Sequence, residues 1–127
     1  MNANTPEELY TLYAQALNTR DLEAAVDLFE PEAQMAPQPG MAPVIGTEAI
    51  RGLVQACLTV QPQLKLEARN VIQNDDIALM TSNWSMTGIH PETMAPFELT
   101  GSGTQVVRRQ ADGTWRYIID DAWGASS

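Results

Sequence analysis

The 127-residue sequence holds one cysteine and one histidine. A single cysteine excludes an intrachain disulfide, and together the two counts exclude zinc sites built from several Cys and His ligands. Carboxylate-only metal binding survives that exclusion with no motif to support it, so neither a metal nor another cofactor is expected. Basic side chains are scarce as well: seven Lys and Arg stand against sixteen Asp and Glu, a formal net charge of -9. So few cations cannot neutralise a run of phosphates, which argues against nucleic acid as a partner. An acidic surface is also repelled by anionic lipid. No apolar run approaches the roughly 20 residues that cross a bilayer, and the opening MNANTPEEL lacks the basic and apolar regions of a secretory signal. The expectation is a cytoplasmic protein with no membrane partner.

What is present is globular: 44% of the residues are hydrophobic and 18% charged, in a length that suits one domain spanning residues 1–127. Thr5-Pro6-Glu7-Glu8 offers an N-cap hydroxyl, a proline for the first helical turn and a glutamate to close a capping box. Leu9, Leu12, Tyr13, Ala16 and Leu17 then follow the spacing of one buried helical stripe. Asp21 can cap a second helix carrying Leu22, Ala25, Val26, Leu28 and Phe29, which Pro31 ends. A brief strand over 33–36 leads into a loop over 37–43, where three prolines and a glycine forbid regular structure. Thr47-Glu48 opens a third helix with Ile50, Leu53, Val54, Cys57 and Leu58 on one face, closed by Pro62.

Beyond Pro62 the apolar period shortens to two, the signal of strands. Leu64, Leu66 and Ala68 alternate with charged residues; a turn at 74–76 follows, then a strand over 77–87 with Ala78, Met80, Trp84 and Met86 on one side. A loop over 88–96 precedes a long strand over 97–109, and Ala111-Asp112-Gly113 reads as a hairpin turn into a last strand over 114–123. Three helices followed by an antiparallel meander is an α+β layout with the helices on one face of the sheet.

Three strings, YAQALNTRDLEAAVDLFEPEA at 13–33, PVIGTEAIRGL at 43–53 and VVRRQADGTWRYIIDDAWG at 106–124, resemble the nuclear transport factor two-like superfamily, home of ketosteroid isomerases and SnoaL-type polyketide cyclases. The resemblance implies a cone-shaped roll: three N-terminal helices packed in a strongly curved antiparallel sheet around a mostly apolar pocket. It further implies a homodimer paired sheet to sheet, and a small-molecule ligand. It specifies the reaction poorly, because many activities share this fold. Tyr13, eight residues before Asp21, stands where the isomerases keep an oxyanion tyrosine. Their second donor aligns with Gln105, and their catalytic base falls in Ala33–Pro37, which holds no ionisable group. Ordinary steroid isomerase chemistry is therefore not expected, and the Asp-Arg-Asp set of the related epoxide hydrolases finds no match.

On the last strand, strict alternation groups Trp115, Tyr117, Ile119, Asp121 and Trp123 on one face. A carboxylate there is desolvated and able to act as acid or base near neutral pH. A bulge at Asp120-Asp121 would exchange the two, and the resemblance favours Asp120 as the inward residue. Candidate catalytic residues are thus Asp120, Asp121 and Tyr13, and candidate ligand contacts are Met35, Met80, Trp84, Gln105, Ile119 and Trp123. Each has a plainer reading as well: a hydrogen-bonded aspartate ending a strand, a core tyrosine, ordinary aromatic or methionine packing. His90 is placed in an exposed loop with at most a rim role, Cys57 in packing, and the 37–43 loop as a lid. Two functions stay open: small apolar or amphipathic ligand binding, with or without isomerase, cyclase or hydratase turnover, and a non-catalytic association module with a vestigial pocket.

Overall fold

The computed structural model describes residues 2–125. Three helices, α1 (Glu8–Asn18), α2 (Leu22–Val26) and α3 (Thr47–Leu58), precede or interrupt six strands: β1 (Phe29–Ala36), β2 (Val44–Ile45), β3 (Gln63–Asn74), β4 (Ile77–Ile89), β5 (Pro96–Arg109) and β6 (Trp115–Asp121). One curved, unclosed sheet runs in the order β2-β1-β6-β5-β4-β3. Its pairs are antiparallel except β1 with β6, which are parallel. The α+β roll expected from the sequence is the fold observed.

The Thr5 half of the capping box forms as expected, and only the reciprocal bond from Glu8 is displaced, by one residue to Asn4. Thr5 Oγ1 accepts from the Glu8 N–H at 3.3 Å, and the Glu8 carboxylate accepts from the Asn4 N–H at 3.2 Å. The buried stripe of α1 is Leu9, Tyr10, Ala16 and Leu17, with Tyr13 partly buried. At the helix end, the Asn18 side chain bonds both ways with the Leu64 backbone, at 3.0 Å and 2.6 Å, which fixes α1 to the start of β3.

Phe29 belongs to β1 rather than to the second helix, because α2 stops at Val26. Pro31 sits within β1, where pairing with β6 is interrupted between Phe29 and Gln34. A proline has no N–H to give a ladder, so it is tolerated at such an irregularity. The two-residue β2 had no sequence signal. β4 runs to Ile89 and β5 begins at Pro96, so the loop between them is shorter than expected.

One irregularity on β6 decides the site. Val107 pairs with Tyr117 and Val106 with Ile119, so one partner step on β5 spans two residues of β6 and Ile118 is the extra residue of a β-bulge. Period-two alternation holds up to Tyr117 and resumes one residue out of step. Ile119 therefore points outward and Asp120 inward. The bulge lies two residues earlier than the position considered from sequence.

Candidate functional site

Between the helices and the concave face of the sheet lies a cavity of about 580 Å³. Its wall is drawn from α1, β1, α3, β3, β4, β5 and β6, with Pro37, Gln38 and Pro39 of the proline-rich loop contributing. Six of the chain's eight aromatic residues line it: Tyr10, Tyr13, Trp84, Phe97, Tyr117 and Trp123.

Asp120 is the one charged side chain in that wall among the described residues. Its Oδ1 accepts from Gln105 Nε2 at 3.0 Å. No other hydrogen bond reaches the carboxyl among the described residues, and no fully buried side-chain oxygen lacks a partner there. Oδ2 is thus left facing the cavity. Burial pushes the carboxyl up to about 6; the Gln105 bond opposes that shift and the nearby charge of Asp121 adds to it.

The orientation of Gln105 is itself fixed. Its Oε1 accepts from the Tyr10 hydroxyl at 2.5 Å and from Ser82 Oγ at 3.3 Å. Two donors on the oxygen leave only the amide nitrogen to face Asp120. Gly103 makes room for this arrangement: a Cβ there would lie 2.8 Å from Gln105 Nε2 and 3.0 Å from Ser82 Oγ. The Tyr13 and Tyr117 hydroxyls make no hydrogen bond among the described residues, and their rings meet edge to face at 6.2 Å. Burial, with the Asp120 charge as second cause, holds both phenols well above their ordinary range, so each stays a neutral donor. Farther along the wall, Trp84 and Trp123 stand at 82° to each other with ring centres 4.9 Å apart. Trp84 Nε1 donates to the Ala122 carbonyl at 2.6 Å, and its indole lies against Gly101, where a Cβ would sit 2.6 Å from Cζ2.

The residues anticipated from sequence divide cleanly. Tyr13, Met35, Trp84, Gln105, Asp120 and Trp123 line the cavity. Ile119 does not: the bulge turns it to the outer face, where it is 47% exposed. Met80 is fully enclosed in the core, paired in register with Gln105, and Asp121 is outside the cavity wall. The Asp121 Oδ1 accepts from the Trp123 N–H at 3.2 Å, the strand-ending role of its plainer reading. His90 is exposed, its ring tilted against Phe97 at 4.8 Å. Cys57 lines the cavity with its thiol pushed up by burial, and Sγ donates to Met86 Sδ at 3.9 Å. Among the described residues no group of three or more His, Cys, Asp or Glu can hold a metal ion, and no helix is long and apolar enough to cross a membrane.

Tyr10, Ser82 and Tyr117 escaped sequence reasoning as site residues. Ser82 carried a signal: it falls in the inward row Ala78, Met80, Trp84, where a lone polar residue implies a polar partner.

The family model described as SnoaL-like domain matches residues 10–118. No curated protein sequence matches. Among solved structures, a ketosteroid isomerase-like protein from Erwinia carotovora atroseptica is 18% identical with a TM-score of 0.81, over 95% of this chain and 94% of that one. A nuclear transport factor 2 (NTF2-like) superfamily protein from Salmonella enterica serovar Typhimurium is 19% identical, TM-score 0.81, over 95% and 89%. A protein from Thiobacillus denitrificans, whose name proposes a calcium/calmodulin-dependent protein kinase type II association domain, is 23% identical, TM-score 0.78, over 99% of each chain. At these identities the likeness is one of fold.

Proposed function

This chain belongs to the SnoaL-like domain family, and from that premise we propose that it binds a small apolar or amphipathic molecule in the conical cavity, with Asp120 moving a proton on it. The observation that carries this reading is Asp120, inward after the Ile118 bulge, with one oxygen held by Gln105 and the other open to the cavity. A carboxyl pushed up to about 6 is ionised at neutral pH yet basic enough to take a proton in a transition state. The free Tyr13 and Tyr117 hydroxyls supply neutral donors to an oxygen that gains charge as that proton leaves carbon. Isomerisation, cyclisation and hydration all need this pair of services, and none of them needs a metal or thiol.

The test is solvent deuterium uptake at the α-carbon of a panel of enolisable cyclic ketones, followed by NMR. Asp120→Asn should slow uptake by about 100-fold or more, and Tyr13→Phe by less. Uptake at the wild-type rate in Asp120→Asn would remove Asp120 from the chemistry.

A second reading, association between copies of this chain, is favoured by the outer face of the sheet. Ile72 pairs with Leu79, Leu79 with Val106, Val106 with Ile119 and Gln34 with both Ile119 and Ile45, one cross-strand row over all six strands. Ile72, Leu79, Ile119 and Ile45 are 57%, 42%, 47% and 61% exposed. A row that is apolar on every strand but β1, where Gln34 stands, suits sheet-to-sheet pairing of a homodimer. The name of the Thiobacillus relative points the same way. Light scattering of the wild type and of Leu79→Lys should give a dimer and a monomer, respectively; a monomeric wild type at micromolar concentration refutes this reading.

A further inference from the structure

Asp120 is a carboxylate with an incomplete shell. Buried carboxylates are ordinarily paired with a cation or hold several donors, whereas among the described residues this one has a single amide donor and no Lys, Arg or His reaches the cavity wall. The rest of the surroundings are of one electrostatic character. The titratable groups about Asp120 are the Tyr10 and Tyr13 hydroxyls from α1, Tyr117 and Asp121 on its own strand, and Cys57 from α3 in the same cavity. Asp121 is the one other carboxylate of the set, and its charge opposes that of Asp120 rather than compensating it. All three tyrosines of the chain sit within reach of Asp120's charge. The two indoles set at 82° form a corner of aromatic faces farther along the wall. Aromatic faces attract cations, and a chain of net charge -9 draws them from solution.

We propose that the cavity accepts a small organic cation, an amine on an apolar skeleton, with its ammonium at Asp120 Oδ2 among the three tyrosines and its skeleton against the Trp84–Trp123 corner. This names a ligand class for the cavity and rests on the reading of that cavity as a ligand site, not on turnover. For an amine Asp120 serves as counter-ion; for a neutral ketone it serves as base. Both uses require the same open Oδ2. An anionic ligand would meet an uncompensated carboxylate and, among the described residues, no positive side chain in the wall.

The experiment is titration calorimetry of the full chain with naphthylmethylamine, naphthylmethanol and naphthoate, which share one bicyclic skeleton and differ in terminal charge. Near neutral pH the amine should bind at least about tenfold tighter than the alcohol, with naphthoate weakest. In Asp120→Asn the amine's advantage over the alcohol should disappear, circular dichroism confirming the fold. In the wild type the same advantage should shrink as pH falls below about 6 and Asp120 gains its proton, an arm that does not depend on the variant. An alcohol that binds as tightly as the amine, or an amine advantage that persists without the carboxylate or at acid pH, overturns the proposal while leaving the cavity reading intact. If none of the three binds, the cavity reading falls and this inference with it.

Discussion

Replacing Asp120 by asparagine should make the protein more stable at neutral pH. In the unfolded chain this carboxyl titrates at its ordinary 3.8, and in the fold burial pushes it to about 6. The native state therefore holds a proton that the unfolded state has released across the window from about pH 4 to about pH 6, and stability falls as pH rises through it. Each pKa unit corresponds to about 1.4 kcal/mol, so the full displacement amounts to about 3 kcal/mol above pH 6. Because the carboxyl is partly reached from the cavity, about 2–3 kcal/mol is the expected range. Asparagine keeps a carbonyl oxygen to accept from Gln105 and carries no charge. The assay is urea unfolding of wild type and Asp120→Asn at equal protein concentration across pH 3.5 to 8, reading the difference in unfolding free energy so that every other titrating group cancels. The variant's advantage should be near zero at the acid end, grow between about pH 4 and pH 6, and then stay level. A flat difference, or a variant weaker than wild type at neutral pH, would refute the desolvation reasoning.

Three further outcomes follow from the same geometry. Gln105→Leu strands the Tyr10 and Ser82 hydroxyls and removes the Asp120 donor, so it should lower unfolding free energy by about 1–3 kcal/mol and raise the Asp120 pKa as followed by carboxyl NMR. Gly101→Ala places a methyl where Trp84 Cζ2 lies; it should cost about 1–3 kcal/mol and alter the near-ultraviolet circular dichroism of the indoles, and an unchanged spectrum would contradict the packing. Deleting Ile118 removes the extra residue of the bulge, so Asp120 should stay inward and its pKa stay near 6; a return to an ordinary carboxyl value would show that the bulge lies elsewhere.

Much of the fold was legible because it follows from periodicity. The stripe of α1, the change of period after Pro62 and the Gly113 turn are local signals, and local signals survive into the structure. What failed was whatever depended on a partner segment. Phe29 carries helical spacing, yet it is the strand pairing with Tyr117 that assigns it to β1. Ile119 and Asp121 were assigned inward by strict alternation, and a single bulge, visible only in register with β5, reversed both. Tyr10 stood one residue away from the chosen stripe position, and its role emerges only where α1 meets Gln105, 95 residues later in the chain. Asp120 was reached by resemblance, not by spacing.

The sheet is a partition one residue thick. Asp120 looks into the cavity and Ile119, its immediate neighbour in the chain, looks out onto the mostly apolar row that crosses the sheet. A body pressed against the outside would bear on the same backbone that holds the carboxylate, and a guest that widens the cavity would flatten the outer row. The two faces thus share one backbone, with adjacent residues of β6 serving opposite sides.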